Sequence, residues 1–252
     1  MVAQVIPGAE AWSHVGGNAV GALVVHGFTG NPSSMREIAK LLADAGFDVE
    51  LPRLAGHGTS VEEMMTTRWA DWSGDADAAY NTLAARCKKV VVVGLSMGGA
   101  LTLWAGAEHP EVKGLVCINP ATQPQPQEVL DMVQGMLDGG TETMDGIGSD
   151  IADPNAHETA YSGTPLAAMR SFLAEGLAPL APRYPSIKMP LLLFTSVQDH
   201  VVQPSDSDAL AATYGGSVER VMLERSYHVA TQDYDKDIIF EGAVAFARRV
   251  TA

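Results

Sequence analysis

Val90-Val91-Val92-Val93-Gly94-Leu95-Ser96-Met97-Gly98-Gly99-Ala100 is the stretch from which the rest of the chain can be read. Four consecutive β-branched residues predict a short strand buried on both faces, because such side chains suit a pleated surface. The apolar run Ala100-Leu101-Thr102-Leu103-Trp104-Ala105 predicts a helix directly after it. Only one sharp turn fits between the two. Gly94 and Gly98 permit that turn, since neither carries a Cβ to collide as strand and helix close up. Ser96 is then expected in a strained backbone conformation that lifts its hydroxyl above the sheet. A lone G-x-S-x-G is a weak signal. Between a valine strand and an apolar helix it marks a candidate nucleophile.

Upstream, Gly21-Ala22-Leu23-Val24-Val25 predicts a buried strand ending at His26-Gly27-Phe28-Thr29-Gly30. A helix follows, with Ile38, Leu41 and Leu42 on one face, then a strand over 47–51 and a turn at Gly56-His57-Gly58. Short apolar pieces around Trp12 and Val15 predict an edge strand or hairpin. Trp69, Trp72, Ala76, Tyr80 and Leu83 recur at helical spacing before the valine strand, and residues 112–118 predict the strand after it. This alternation implies an α/β fold, a doubly wound and mainly parallel sheet covered by helices. It breaks at Pro120. About 60 residues then pass without a convincing strand, with helices expected near 127–137 and 165–177. A structureless loop of that length is improbable inside a domain, so a small inserted helical cap is expected. The expected division is a core of residues 1–120 and 186–252 with a cap of 121–185. Strands over 190–195 and 218–223, with helices over 205–214 and 238–250, complete the core.

At 252 residues the chain can bury one sizeable core. Its formal charge of −14 argues against nucleic acid or an anionic membrane as partner, since both repel an acidic surface. No apolar run approaches the ~20 residues of a membrane span. The first residues carry neither a basic region nor a long apolar segment, so a cytoplasmic location is expected. The two cysteines, Cys87 and Cys117, read as buried reduced thiols. No Cys/His cluster has metal-ligand spacing, and neither a metal nor a cofactor is implied. No oligomeric state is implied either.

A serine hydroxyl needs a base to take its proton and a group to orient that base. In a doubly wound hydrolase these follow on later strand ends, in the order Ser, acid, His. Of the seven histidines, His14, His26, His57, His109 and His157 precede the end of the cap. His200 directly follows an acid, and successive extended side chains point apart. His228, after the last strand, is therefore the expected base. Asp199, just past the strand over 190–195, is the expected acid. Asp206 and Asp208 fall in the first turn of a helix, where carboxylates favour the dipole.

His26-Gly27, Gly94-Leu95-Ser96-Met97-Gly98, Asp199-His200-Val201-Val202 and the late His228 together resemble the α/β-hydrolase superfamily. Within it, His26-Gly27-Phe28-Thr29-Gly30-Asn31, Gly56-His57-Gly58 and the small cap are similar to bacterial carboxylesterases and monoacylglycerol lipases. The resemblance covers nearly the whole chain outside the cap. It implies an oxyanion hole made by the backbone N–H groups of Phe28 and Met97. A helix N-terminus at Met97 fits that role independently, because its N–H groups lack partners. Phe28 stands where some relatives have a three-glycine motif, which resembles enzymes of ordinary acyl esters. The implied activity is hydrolysis of a small-molecule carboxylic ester, a monoacylglycerol or similar single-chain ester, through an acyl-enzyme. A thioesterase or C–C bond hydrolase would use the same triad, and a non-catalytic binding protein could retain it. Ser96, where epoxide and haloalkane hydrolases carry Asp, disfavours those chemistries. His26 reads as structural and His57 as part of a tight turn. The cap is expected to add binding surface and no catalytic group. Met132, Met136 and Met169 either line an acyl pocket or simply pack the cap on the core.

Overall fold

The computed structural model describes residues 4–146 and 148–252. In chain order the elements are β1 (Trp12–His14), β2 (Val20–Val25), α1 (Arg36–Asp44), β3 (Asp48–Leu51), α2 (Val61–Met65) and α3 (Trp69–Ala84). They continue with β4 (Lys89–Leu95), α4 (Met97–Glu108), β5 (Gly114–Ile118), α5 (Gln127–Asp138), β6 (Thr143–Asp145) and β7 (Gly163–Pro165). The last are α6 (Leu166–Ser171), α7 (Ala178–Leu180), β8 (Leu191–Ser196), α8 (Pro204–Thr213), β9 (Val218–Leu223) and α9 (Lys236–Thr251).

Seven strands form the main sheet in the order β1-β3-β2-β4-β5-β8-β9. Only β1 runs antiparallel to its neighbour, so the sheet is the mainly parallel, doubly wound α/β type. The valine run shows why the core is two-sided. Val90 and Val92 join the apolar layer that contains α3 and α4, whereas Val91 and Val93 join the layer that contains α1 and α9. Side chains alternate across a strand, so a strand covered on both faces must be apolar throughout. β5 and β8 divide their side chains in the same way. Both cysteines are buried and unpaired.

Strand order reverses between β2 and β4, because β3 adds on one side of β2 and β4 on the other. Ligand crevices in open α/β sheets form at such a switch point, beyond the carboxyl ends of the strands. Here the loop after β2 and the turn after β4 meet. A Cβ on Gly98 would lie 2.2 Å from the Val25 carbonyl oxygen, and one on Gly94 would lie 2.0 Å from that of Gly98. Both separations are impossible, which is the physical reason for glycine at these two positions.

Residues 121–185, read from sequence as a helical cap without a convincing strand, also contain two short strands. β6 and β7 form a two-stranded antiparallel ribbon within it. The helix expected over 165–177 is α6 followed by a π-helical turn, Phe172–Leu177. The short helix α2 also lies outside the sequence reading. No helix among the described residues is long and apolar enough to cross a membrane.

Candidate active site

Ser96 sits between β4 and α4 with φ 57° and ψ −117°. A non-glycine residue there costs about 1–3 kcal/mol, which the surrounding bonds must offset. The Ser96 N–H donates to the Ile118 carbonyl at 3.0 Å, and the Ser96 carbonyl accepts from Gly99, Ala100 and Ala121. Met97, the first residue of α4, has no intrahelical acceptor for its N–H. The Phe28 N–H likewise has no acceptor among the described residues. Gly27, between His26 and Phe28, approaches Ser96 so closely that an added Cβ would stand 3.4 Å from the serine Cβ.

Asp199 follows β8 and is buried. One of its carboxylate oxygens accepts from the N–H groups of Val201 and Val202, each at 2.8 Å. The other lies 2.8 Å from His228 Nδ1. That contact fixes the imidazole with Nδ1–H donating to Asp199 and leaves the Nε2 lone pair free to accept a proton. The His228 loop is itself tethered, since Asn119 Nδ2 donates to the His228 carbonyl at 2.8 Å. Ser96 Oγ makes no hydrogen bond among the described residues.

The other sequence candidates fall outside this group. His26 is fully buried, accepts from the Leu54 N–H at 3.2 Å through Nε2, and is held neutral by burial with its pKa lowered to about 3. His57 is also buried, its pKa lowered to about 4. His200 is exposed and pairs with Asp150. Asp208 pairs with Arg220. Asp206, in the first turn of α8, borders the cavity and has its pKa raised by burial and then by the Asp199 charge.

A cavity of about 290 Å³ opens beside Ser96. Its apolar wall includes Phe28, Met169, Phe172, Leu173 and Leu177, and Gln123 and Gln203 also line it. Phe172 stacks between Phe28 and Trp69, at ring separations of 6.0 and 5.9 Å, so the π-helical turn is pinned against the loop after β2. Met169 lines this cavity, whereas Met132 and Met136 do not. Met132 is 59% exposed, because α5 buries Leu130 and Val133 and so turns Met132 away. Of the two readings open for Met132 and Met136, lining the cavity beside Ser96 is thereby set aside. A larger groove of about 600 Å³ between α1 and α9 contains none of the candidate catalytic residues.

Glu158, in the cap, was not legible from sequence. Its side chain is buried near Gly30 and within electrostatic reach of His228, and it has no hydrogen-bond partner among the described residues. Burial raises its pKa to about 7, opposed by His228. Unfolded, the group titrates near 4.5. The stability contributed by its bound proton is therefore complete below pH 4.5 and is lost as pH rises through about 7. Glu158→Gln cannot ionise. We expect its Tm to exceed that of the wild type by roughly 5 °C at pH 8 and to match it at acid pH, as thermal unfolding across that range will measure.

Comparison with known proteins agrees with this architecture. The Hydrolase_4 family model, described as serine aminopeptidase S33, matches residues 21–235. A thermostable monoacylglycerol lipase of Bacillus sp. (strain H-257) is 41% identical over 245 residues, covering 96% of this chain and 95% of that protein. A solved structure from work on LipS and LipT, two metagenome-derived lipolytic enzymes, superposes with a TM-score of 0.91 at 41% identity. It covers 98% of this chain and 100% of that one. The monoacylglycerol lipase of Paleococcus ferrophilus shares the fold, with a TM-score of 0.77 at 16% identity over 95% of this chain and 98% of that one. The chain belongs to the serine aminopeptidase S33 family of α/β-hydrolases and is a carboxylic ester hydrolase.

Proposed function

We propose that the protein hydrolyses esters of a single acyl chain, a monoacylglycerol or a close analogue, through an acyl-enzyme on Ser96. The observations that carry this reading are the buried His228–Asp199 hydrogen bond, on the loops that follow β9 and β8, and the strained Ser96 after β4, which lines an apolar cavity. Ser96 Oγ attacks the ester carbonyl carbon as His228 Nε2 takes its proton. Asp199 stabilises the imidazolium through Nδ1. Negative charge on the former carbonyl oxygen is met by the N–H groups of Phe28 and Met97, which need no reorganisation to receive it. His228 then gives its proton to the departing alcohol. Water repeats the sequence on the acyl-enzyme and releases the fatty acid.

The acyl chain occupies the apolar wall of the cavity. The alcohol leaves beside His228, where Glu158 offers a polar group to free hydroxyls. The monoacylglycerol lipase similar over nearly its whole length supports a glyceryl ester in that place. Each added acyl methylene buried in the cavity contributes about 0.8 kcal/mol at most, or up to about fourfold in kcat/KM. We expect kcat/KM on an ester series to climb with acyl length and then fall once the cavity is full. Met169→Trp should move the optimum to shorter chains, and Met132→Trp should leave it in place. A Met169→Trp profile identical to that of the wild type would show that the acyl chain binds elsewhere.

A further inference from the structure

We propose that Asp150, in the cap, is a positioning residue for His228, the point at which the cap fixes the backbone of the loop carrying the base. The proposal rests on the reading of His228 as that base. Asp150 Oδ2 accepts from the His228 N–H at 3.0 Å and from the His200 N–H at 3.2 Å. Its Oδ1 pairs with His200 Nδ1 at 2.8 Å. Its main-chain carbonyl accepts from the Val229 N–H at 3.0 Å. A single cap residue thus holds the residue next to Asp199, His228 itself and the residue after it.

Asp233 extends the junction. Its buried carboxylate accepts from the Tyr227 N–H at 2.9 Å and from the cap N–H groups of Ala152 and Asp153 at 2.8 and 3.1 Å. The N–H groups of Tyr227, His228 and Val229 therefore all end on acceptors that belong to, or bind, residues 150–153. These three residues lie in neither strand nor helix. No ladder holds them, and two carboxylates and one main-chain carbonyl do so instead. Hydrogen bonds from backbone N–H to a carboxylate are roughly twice as strong as neutral ones, which suits a loop whose imidazole has to be held within about 0.5 Å. Asn119 holds the same loop through the Tyr227 and His228 carbonyls. Residues 150–153 thereby become part of the support of the triad, although they contribute no group to the reaction.

The test compares Asp150→Ala, Asp150→Asn and His200→Ala on an aryl acetate and an aryl decanoate. Circular dichroism and Tm verify folding. The acetate makes little use of the acyl cavity, so a cap that merely seats substrate would affect the decanoate KM alone. A positioning role lowers kcat on both esters, by on the order of 10–100-fold in Asp150→Ala, with KM nearly unchanged. Labelling of Ser96 by a fluorophosphonate should slow by the same factor. Asp150→Asn keeps an oxygen that can accept from the His228 N–H, and it should recover most of the loss. His200→Ala should stay within about threefold of the wild type, since the bond to His228 survives it. Should the alanine variant not fold, Asp150→Glu, which displaces the carboxylate by one methylene, should show the same fall in kcat. Wild-type kcat on the acetate in Asp150→Ala or Asp150→Glu, or a loss confined to the decanoate KM, would overturn the proposal. Labelling of the wild type at Ser96, and its loss in His228→Ala, report on the triad alone, so the two readings fail on different variants.

Discussion

Ser96→Ala and His228→Ala are each expected to lower kcat by a factor on the order of 10⁶, and the double variant by scarcely more. On the proposed mechanism Ser96, His228 and Asp199 act as one device. Without the serine there is no atom to carry the acyl group. Without the histidine the hydroxyl keeps its proton and attacks too slowly to matter. Once either is gone, removing the other takes nothing further away. The residual rate should still exceed that of water, because the Phe28 and Met97 N–H groups and the cavity remain. Hydrolysis of an aryl ester by the purified variants measures this directly. Additive losses would mean that the two residues serve separate functions. Undiminished turnover in Ser96→Ala would remove the nucleophile from the account, and turnover absent even in the wild type would favour a binding protein on a hydrolase scaffold.

Asp199→Asn should reduce kcat by roughly 10⁴-fold with the fold intact. The carboxylate meets His228 Nδ1 at 2.8 Å with one oxygen and two backbone N–H groups with the other. An amide can retain one set of these contacts, but it no longer stabilises an imidazolium and can present N–H to Nδ1. The imidazole then turns its proton toward Ser96, where a lone pair is needed. Asp208→Asn should stay within a few-fold of the wild type, because Asp208 is engaged with Arg220 at the surface. Asp206→Asn should do the same, since no hydrogen bond joins its carboxylate to His228 among the described residues. An inactive Asp206 variant beside an active Asp199 variant would reverse the assignment.

The sheet and the strand-end residues were legible because their signals are local. The valine run can only be a strand buried on both faces, and the glycines at 94 and 98 can only be there because a carbonyl fills the space of a Cβ. Asp199 and His228 followed from chain order once the strands were counted. The region of residues 121–185 was less legible. β6 is short and fully exposed, so Thr143-Met144-Asp145 shows no alternation from which a strand could be read. α5 is amphipathic, but its period cannot say which side meets the cavity, and Met132 faces away. Asp150 and Glu158 were invisible for another reason. Each is a lone acid in a loop with no spacing to a partner, and it comes near His228 only because the fold returns this segment to a residue about 70 to 80 positions later. A segment expected to add surface alone also brings two carboxyl groups to the surroundings of His228.

The central claim, that Ser96 is a nucleophile activated by His228 and Asp199, is tested most directly by covalent labelling. The intact protein is treated with a fluorophosphonate probe at neutral pH, and the adduct is mapped by peptide mass spectrometry. One equivalent should bind, located on Ser96, with labelling abolished in Ser96→Ala and severely slowed in His228→Ala. An adduct on any other serine, or an active enzyme that takes up no probe, would contradict it.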